Sequence, residues 1–213
     1  MPSTRRPPLT WELALAVALQ CMSWGRVHIA IAVIVGFHCL LRVSEILNLR
    51  VSDVVNTNDP RFGFANSSII LRFRLTKTGA NQSMSVLDPF VINCVQLLLR
   101  EHKSSRPDDL FFTMSEYNFR CTLTSASKRF GLESITPHSL RHGGCTHLYV
   151  VLKWSVPDIM VRGRWVELKS FTRYVQQHES ALTQLKIDHA TAQLSRVVAS
   201  NPPECRWYAL HRV

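Results

Sequence analysis

The sequence predicts a mainly helical α+β domain with one small antiparallel β-sheet. Three observations carry that expectation. Apolar residues recur at helical spacing through most of the 213 residues. The run from Val27 to Leu41 is apolar nearly all round, as a central helix must be. Between Ser68 and Leu87, SIILRFRL and SMSVL flank the turn sequence TKTGANQ, which reads as a β-hairpin.

The elements follow in order. Met1 to Pro8 holds three prolines and two arginines, the chemistry of a linker. Thr10 caps a helix over Trp11–Trp24 that Gly25 stops. The central helix, Val27–Leu41, delivers Arg42 and Glu45 at or just past its end. Asn56 to Ser67 is a loop, rich in Asn, Asp, Pro and Gly. The strands Ser68–Leu75 and Ser83–Leu87 follow, with Lys77 at the start of the turn between them. A helix to Glu101 is capped by Asp88 with Pro89 at its first position, and Ser104 to Asp109 is a loop. Ser115 caps a helix over Ser115–Phe130, ended by Gly131. Pro137 opens a helix running to about Leu152. Pro157 starts a short one that Gly163 closes, Lys169–Val175 is another short piece carrying Tyr174, and Glu179–Val198 is a last amphipathic helix. The tail from 199 to 213 is expected to lack regular structure apart from the aromatic pair Trp207 and Tyr208.

An apolar fraction of 46% over this length suffices for a full core. The net charge of +10, from 25 Lys and Arg spread along the chain, favours a polyanionic partner, because each cation set against a phosphate releases condensed counterions. The six cysteines lie apart without a CxxC pair, and read as reduced thiols in a cytoplasmic or nuclear setting. Val27–Leu41 is too short to span a bilayer, and MPSTRRPPLT lacks the apolar run of a signal peptide. No membrane or export role is expected.

Two stretches carry chemistry. LLRVSEILNLRVSD sets Arg42 and Glu45 three residues apart in an apolar segment, where a charge is costly unless paired. TPHSLRHGG sets His138 and Arg141 one helical turn apart, and Trp165 and Tyr174 follow nine residues from each other. Phosphoryl transfer needs cations on the non-bridging oxygens, an in-line nucleophile and an acid for the leaving oxygen. Two guanidiniums can grip both oxygens in place of metal ions. A histidine can take a tyrosine proton or hold an oxygen, and a tyrosine attacks once a base or nearby cations activate it. Lys77 can protonate the leaving oxygen, Glu45 can hold a cationic side chain, and Trp165 can donate its indole N–H. The bland readings are a structural Arg42–Glu45 ion pair, an exposed hairpin lysine, and core aromatics at Trp165 and Tyr174. His138 and His142 at i, i+4, with Cys145 and His147 nearby, raise a metal site, but ligand-like carboxylates are absent there and none is expected.

LLRVSEILNLRVSD, TKTG in the hairpin, TPHSLRHGG, and GRW followed nine residues later by Tyr174, in this order and spacing, resemble the catalytic domain of the tyrosine recombinases, the phage-integrase family, over about Leu9 to Leu194. The resemblance implies that Arg42 and Arg141 are the catalytic arginines, His138 the first catalytic histidine, Lys77 the general acid and Tyr174 the nucleophile. Trp165 falls where the family more often has a second histidine, and Glu45 matches an acidic position; His142, from its place one turn beyond His138, is expected to pack or to support the site from behind. The resemblance further implies the tyrosine recombinase catalytic-domain fold over residues 9–198, acting without cofactor or metal on double-stranded DNA, with self-association on it. Three departures stand out. Gly163-Arg164-Trp165 replaces the usual Leu-Gly-His, Lys153-Trp154 stands where a small residue and glycine are commoner, and the N-terminal core-binding domain is expected to be absent. The rival readings are a type IB topoisomerase and a non-catalytic DNA-binding remnant of a mobile element.

Overall fold

The computed structural model describes residues 8–60, 66–76, 79–133, 135–175, 181–183, 185 and 188–200. Helices dominate: α1 Trp11–Ser23, α2 Val27–His38, α3 Val43–Leu47, α4 Pro89–Glu101, α5 Glu116–Lys128, α6 Pro137–Val150, α7 Val156–Gly163, α8 Leu168–Thr172 and α9 His189–Ser200. The strands β1 Val54–Val55, β2 Ile69–Thr76 and β3 Gly79–Val86 form one antiparallel sheet in that order. The expected α+β class is therefore the observed one.

α2 is the axis of the molecule. Ile29 to Phe37 is buried without a break, and α1, α4, α5 and α6 all pack against it. Side chains alternate along β2, as the two-residue strand period requires: Ile69, Leu71 and Phe73 face the core, whereas Arg72 and Arg74 face water. Caps sit where the sequence places them. Thr10, Asp88 and Ser115 each accept a backbone N–H of the following first turn.

The HGG of α6 sets its depth. A Cβ at Gly143 would overlap the Leu9 carbonyl, and one at Gly144 the Phe37 carbonyl. Backbone-to-backbone contact is possible only without side chains at these positions. It brings the preceding turn, with Arg141 and His142, to the end of α2.

Several boundaries differ from expectation. α2 stops at His38, because Leu40 adopts the left-handed conformation (φ 51°) and Leu41 N–H bonds back to the Gly36 carbonyl at 3.0 Å. Arg42 and Glu45 consequently lie on a separate short helix, α3. The hairpin is tighter than the turn sequence suggests, with Thr76 paired to Gly79, and the two-residue β1 was not expected. Within the expected helix over Glu179–Val198, residues 181–183 are helical and α9 begins at His189, where Asp188 accepts from Thr191 N–H at 2.8 Å; α9 packs on α1 of its own chain. Cys21, Cys39, Cys94 and Cys145 are buried free thiols, and Cys121 is an exposed one. Among the described residues no helix is long and apolar enough to cross a membrane. Lys77, Trp207 and Tyr208 lie outside the described residues.

Candidate active site

The site begins where α2 ends. Arg42 caps α3, and Glu45, three residues on, turns back so that its Oε2 accepts the Arg42 backbone N–H at 2.8 Å. Its Oε1 accepts from Arg42 Nη1 at 2.7 Å. Glu45 is buried, and a third donor reaches it from far along the chain: Arg164 Nη2 lies 2.6 Å from Oε2. Burial alone would raise the Glu45 carboxyl. Arg164, the Arg42 amide, Arg42 and Arg141 outweigh that and hold it below its usual range.

Pro137 opens α6 and places its first turns over this corner. His138 is exposed, whereas Arg141 and His142 are buried. Arg141 Nη1 donates to the Leu40 carbonyl and Nη2 to the Gly163 carbonyl, so one side chain ties the ends of α2 and α7 together. Trp165 lies under its guanidinium, 4.4 Å from ring centre to Cζ, and the Tyr174 ring is 5.4 Å away. Desolvation, then the charges of Arg42 and Arg164, lower Arg141 to about 10, which leaves it charged at neutral pH.

α7 and α8 bring the aromatic side of the site. Arg162 donates to the His38 carbonyl at 3.1 Å and the Ser85 carbonyl at 3.3 Å, which fixes α7 against α2 and β3. Gly163 does not end α7 by its own conformation. It is the last helical residue, and Arg164 takes the left-handed turn (φ 56°) instead. Gly163 is required for a different reason: the Trp165 ring occupies the place of a Cβ there. Tyr174 follows α8, held by its backbone N–H to the Phe171 carbonyl at 2.8 Å and by Thr146 Oγ1 donating to its own carbonyl at 3.2 Å. Its ring stacks on His142 at 4.5 Å and meets His138 at 5.2 Å and Trp165 at 4.7 Å. Burial and the neighbouring His138 push His142 down to about 4, against a hydrogen bond to the Tyr174 backbone, so His142 is neutral at pH 7.

Arg42, Glu45, His138, Arg141, His142, Trp165 and Tyr174 thus converge from four separate segments. Arg141 is wholly buried, covered by the Trp165 and Tyr174 rings, while Arg42 keeps 20% of its side chain exposed. Trp165 is a buried packing partner of Arg141, Phe171 and Tyr174. Sequence reasoning missed Arg164, because Gly163 beside it reads as the helix stop. The signal available was the second arginine of RGR next to an apolar helix. Among the described residues no group of three or more His, Cys, Asp or Glu is placed to hold a metal ion.

Among solved structures, the fold is similar to that of XerA recombinase, with 19% identity and a TM-score of 0.65 over 87% of this chain and 64% of that one. It is also similar to XerH site-specific recombinase bound to difH substrate in a pre-cleavage complex, with 19% identity and a TM-score of 0.57 over 83% and 52%. The chain spans less than two thirds of either recombinase. No curated protein sequence matches it. The model of the phage integrase family matches residues 16–181, most of the chain and every described residue of the site, and the protein belongs to that family.

Proposed function

We propose that the chain cleaves and rejoins DNA through a 3′-phosphotyrosyl intermediate, in site-specific recombination or in integration of a mobile element. The observation that carries this reading is the gathering of Arg141 and His138 at the Tyr174 ring, with Arg42 near enough for its charge to act on Arg141. The Tyr174 oxygen attacks a backbone phosphorus and its proton passes to His138. The bond to the 5′ oxygen breaks, and that oxygen takes a proton from Lys77. The phosphodiester energy is kept in the tyrosyl link, so a 5′-hydroxyl can reseal the strand by the reverse step without nucleotide or metal. Arg42 and Arg141 neutralise the charge that builds on the non-bridging oxygens. For Arg141 to reach a phosphate, the Tyr174 ring must move off its guanidinium, whose other cover is the Trp165 ring. The XerH complex with its difH substrate and the basic charge of this chain support duplex DNA as the partner. Recombination by this route joins several protomers on two DNA sites.

A second reading, a DNA-binding remnant that no longer cuts, draws support from the complete burial of Arg141. Incubation with nicked duplexes carrying candidate sites separates the two. The proposal expects a denaturant-resistant protein–DNA adduct that Tyr174→Phe abolishes. Folded protein that binds duplex without forming an adduct favours the remnant.

A further inference from the structure

Helix ends single out one residue that the proposed chemistry leaves unused. α1 and α5 end in left-handed glycines, Gly25 (φ 69°) and Gly131 (φ 64°). α2 and α7 end by the same hydrogen-bond pattern, but the left-handed residues there are Leu40 and Arg164. A glycine adopts this conformation without the Cβ clash that a larger residue meets. Lys153, left-handed after α6 (φ 56°), is exposed, whereas Arg164 takes this conformation with a buried, charged side chain. That side chain is 5% exposed. Nη2 donates to Glu45 Oε2 at 2.6 Å and to the Leu40 carbonyl at 3.4 Å, and Nη1 to the Arg162 carbonyl at 3.1 Å, with Met84 Sδ at 3.6 Å. The Phe73 ring covers its face at 4.9 Å. Its partners are therefore a carboxylate, two backbone carbonyls, Met84 and Phe73, whereas Arg141 lies at the Tyr174 ring.

We propose that Arg164 is a positioning residue: by holding Oε2 of Glu45, it limits that carboxylate to one oxygen on the Arg42 guanidinium and leaves the other Arg42 donors for the scissile phosphate. Without Arg164 only the Arg42 backbone N–H still holds Oε2, and the carboxylate swings to take the Arg42 guanidinium with both oxygens, the geometry an arginine–carboxylate pair prefers, so that Arg42 is drawn away from the phosphate. The buried clamp would then close on itself. This inference rests on the proposed phosphate-binding role of Arg42, whereas the Arg164–Glu45–Arg42 linkage itself is geometric.

The test uses Arg164→Gly, which relieves the left-handed backbone while removing the guanidinium, so the variant has no conformational reason to misfold. Its adduct formation on the nicked duplex is expected to fall about tenfold to a hundredfold, the loss typical of a misplaced catalytic group. In a Glu45→Gln background, the same substitution should add no further loss. Equal losses in both backgrounds, or no loss in either, overturn the proposal. Guanidinium nitrogen NMR of the full chain, with the Arg42 signals assigned through Arg42→Lys, reads the linkage independently of activity. Arg164→Gly should shift the Arg42 signals. Should wild-type protein form no adduct, the proposed function fails while this measurement still decides the linkage, and unchanged Arg42 signals overturn it.

Discussion

Arg42-Val43-Ser44-Glu45 and, eight residues on, Arg50-Val51-Ser52-Asp53 are nearly the same tetrapeptide in two different settings. Locally they behave alike. In each the acid turns back to accept the arginine's own backbone N–H, at 2.8 Å for Glu45 and 3.3 Å for Asp53, and caps a short helical turn. Each carboxylate is buried and each receives two arginine side chains, Arg42 and Arg164 on Glu45, Arg72 and Arg74 on Asp53. The difference lies in where those arginines stand. Arg72 and Arg74 are about half exposed at 51% and 45%, on the water face of β2, and Arg50 itself turns to Asp108. Arg42 and Arg164 are 20% and 5% exposed and share their electrostatics with Arg141. One local motif yields a surface brace in one place and the corner of a candidate active site in the other, and tertiary packing alone makes the distinction.

The largest expected divergence between the two motifs is in DNA cleavage. Arg42→Ala should lower adduct formation by roughly a hundredfold to a thousandfold, the cost of losing one preorganised donor on a developing charge. Arg50→Ala should leave it within about threefold, since an exposed ion pair is worth little. Equal effects on the adduct rate would erase the comparison.

Acid sensitivity sharpens the buried side next. His142 is lowered to about 4, so between there and its ordinary value of 6.5 the unfolded chain binds more protons than the folded one. Stability is therefore full above about 6.5 and is lost as pH falls through 4, on the order of 3 kcal/mol at the limit. Glu45 adds to the loss at lower pH: its carboxyl is held below its ordinary value, so its contribution is present above about 4.5 and disappears as pH falls through the folded value. Urea unfolding at a series of pH values measures both, and His142→Phe should flatten the upper part of the curve. Glu45→Gln at neutral pH should cost about 1–3 kcal/mol, because buried guanidinium donors lose their charged acceptor. Asp53→Asn should cost less, as Arg72 and Arg74 turn to water. The smallest effect is on salt. Raising ionic strength from about 0.05 to about 0.5 M should weaken the Asp53 brace, seen as a smaller difference between wild type and Arg74→Ala, and leave the Glu45 corner unchanged.

Much of this was readable in the residues. Thr10, Asp88 with Pro89, and Ser115 announce their helices because a cap is a local hydrogen bond, decided by a few neighbouring residues. The three-residue spacings of Arg42 to Glu45 and His138 to Arg141 likewise carry local geometry. The misread positions depend on partners distant in sequence. Gly163 signals a helix stop, yet its lack of a Cβ serves the Trp165 ring, and the left-handed turn falls to Arg164. Leu40 ends α2 early although nothing in an apolar run marks it, and its carbonyl is used by Arg141, 101 residues later. The burial of Arg141 follows from aromatic rings arriving just past α7 and α8, which the spacing of HxxR cannot convey.

In the proposed reaction the corner built by Arg42, Glu45 and Arg141 serves Tyr174. Mass spectrometry of the protease-digested protein–DNA adduct tests it most directly, by locating the residue that carries the nucleotide remnant. The expected product is a phosphodiester on Tyr174 with the 3′ end of the cut strand attached. A nucleotide on any other residue, or attached through its 5′ end, contradicts it.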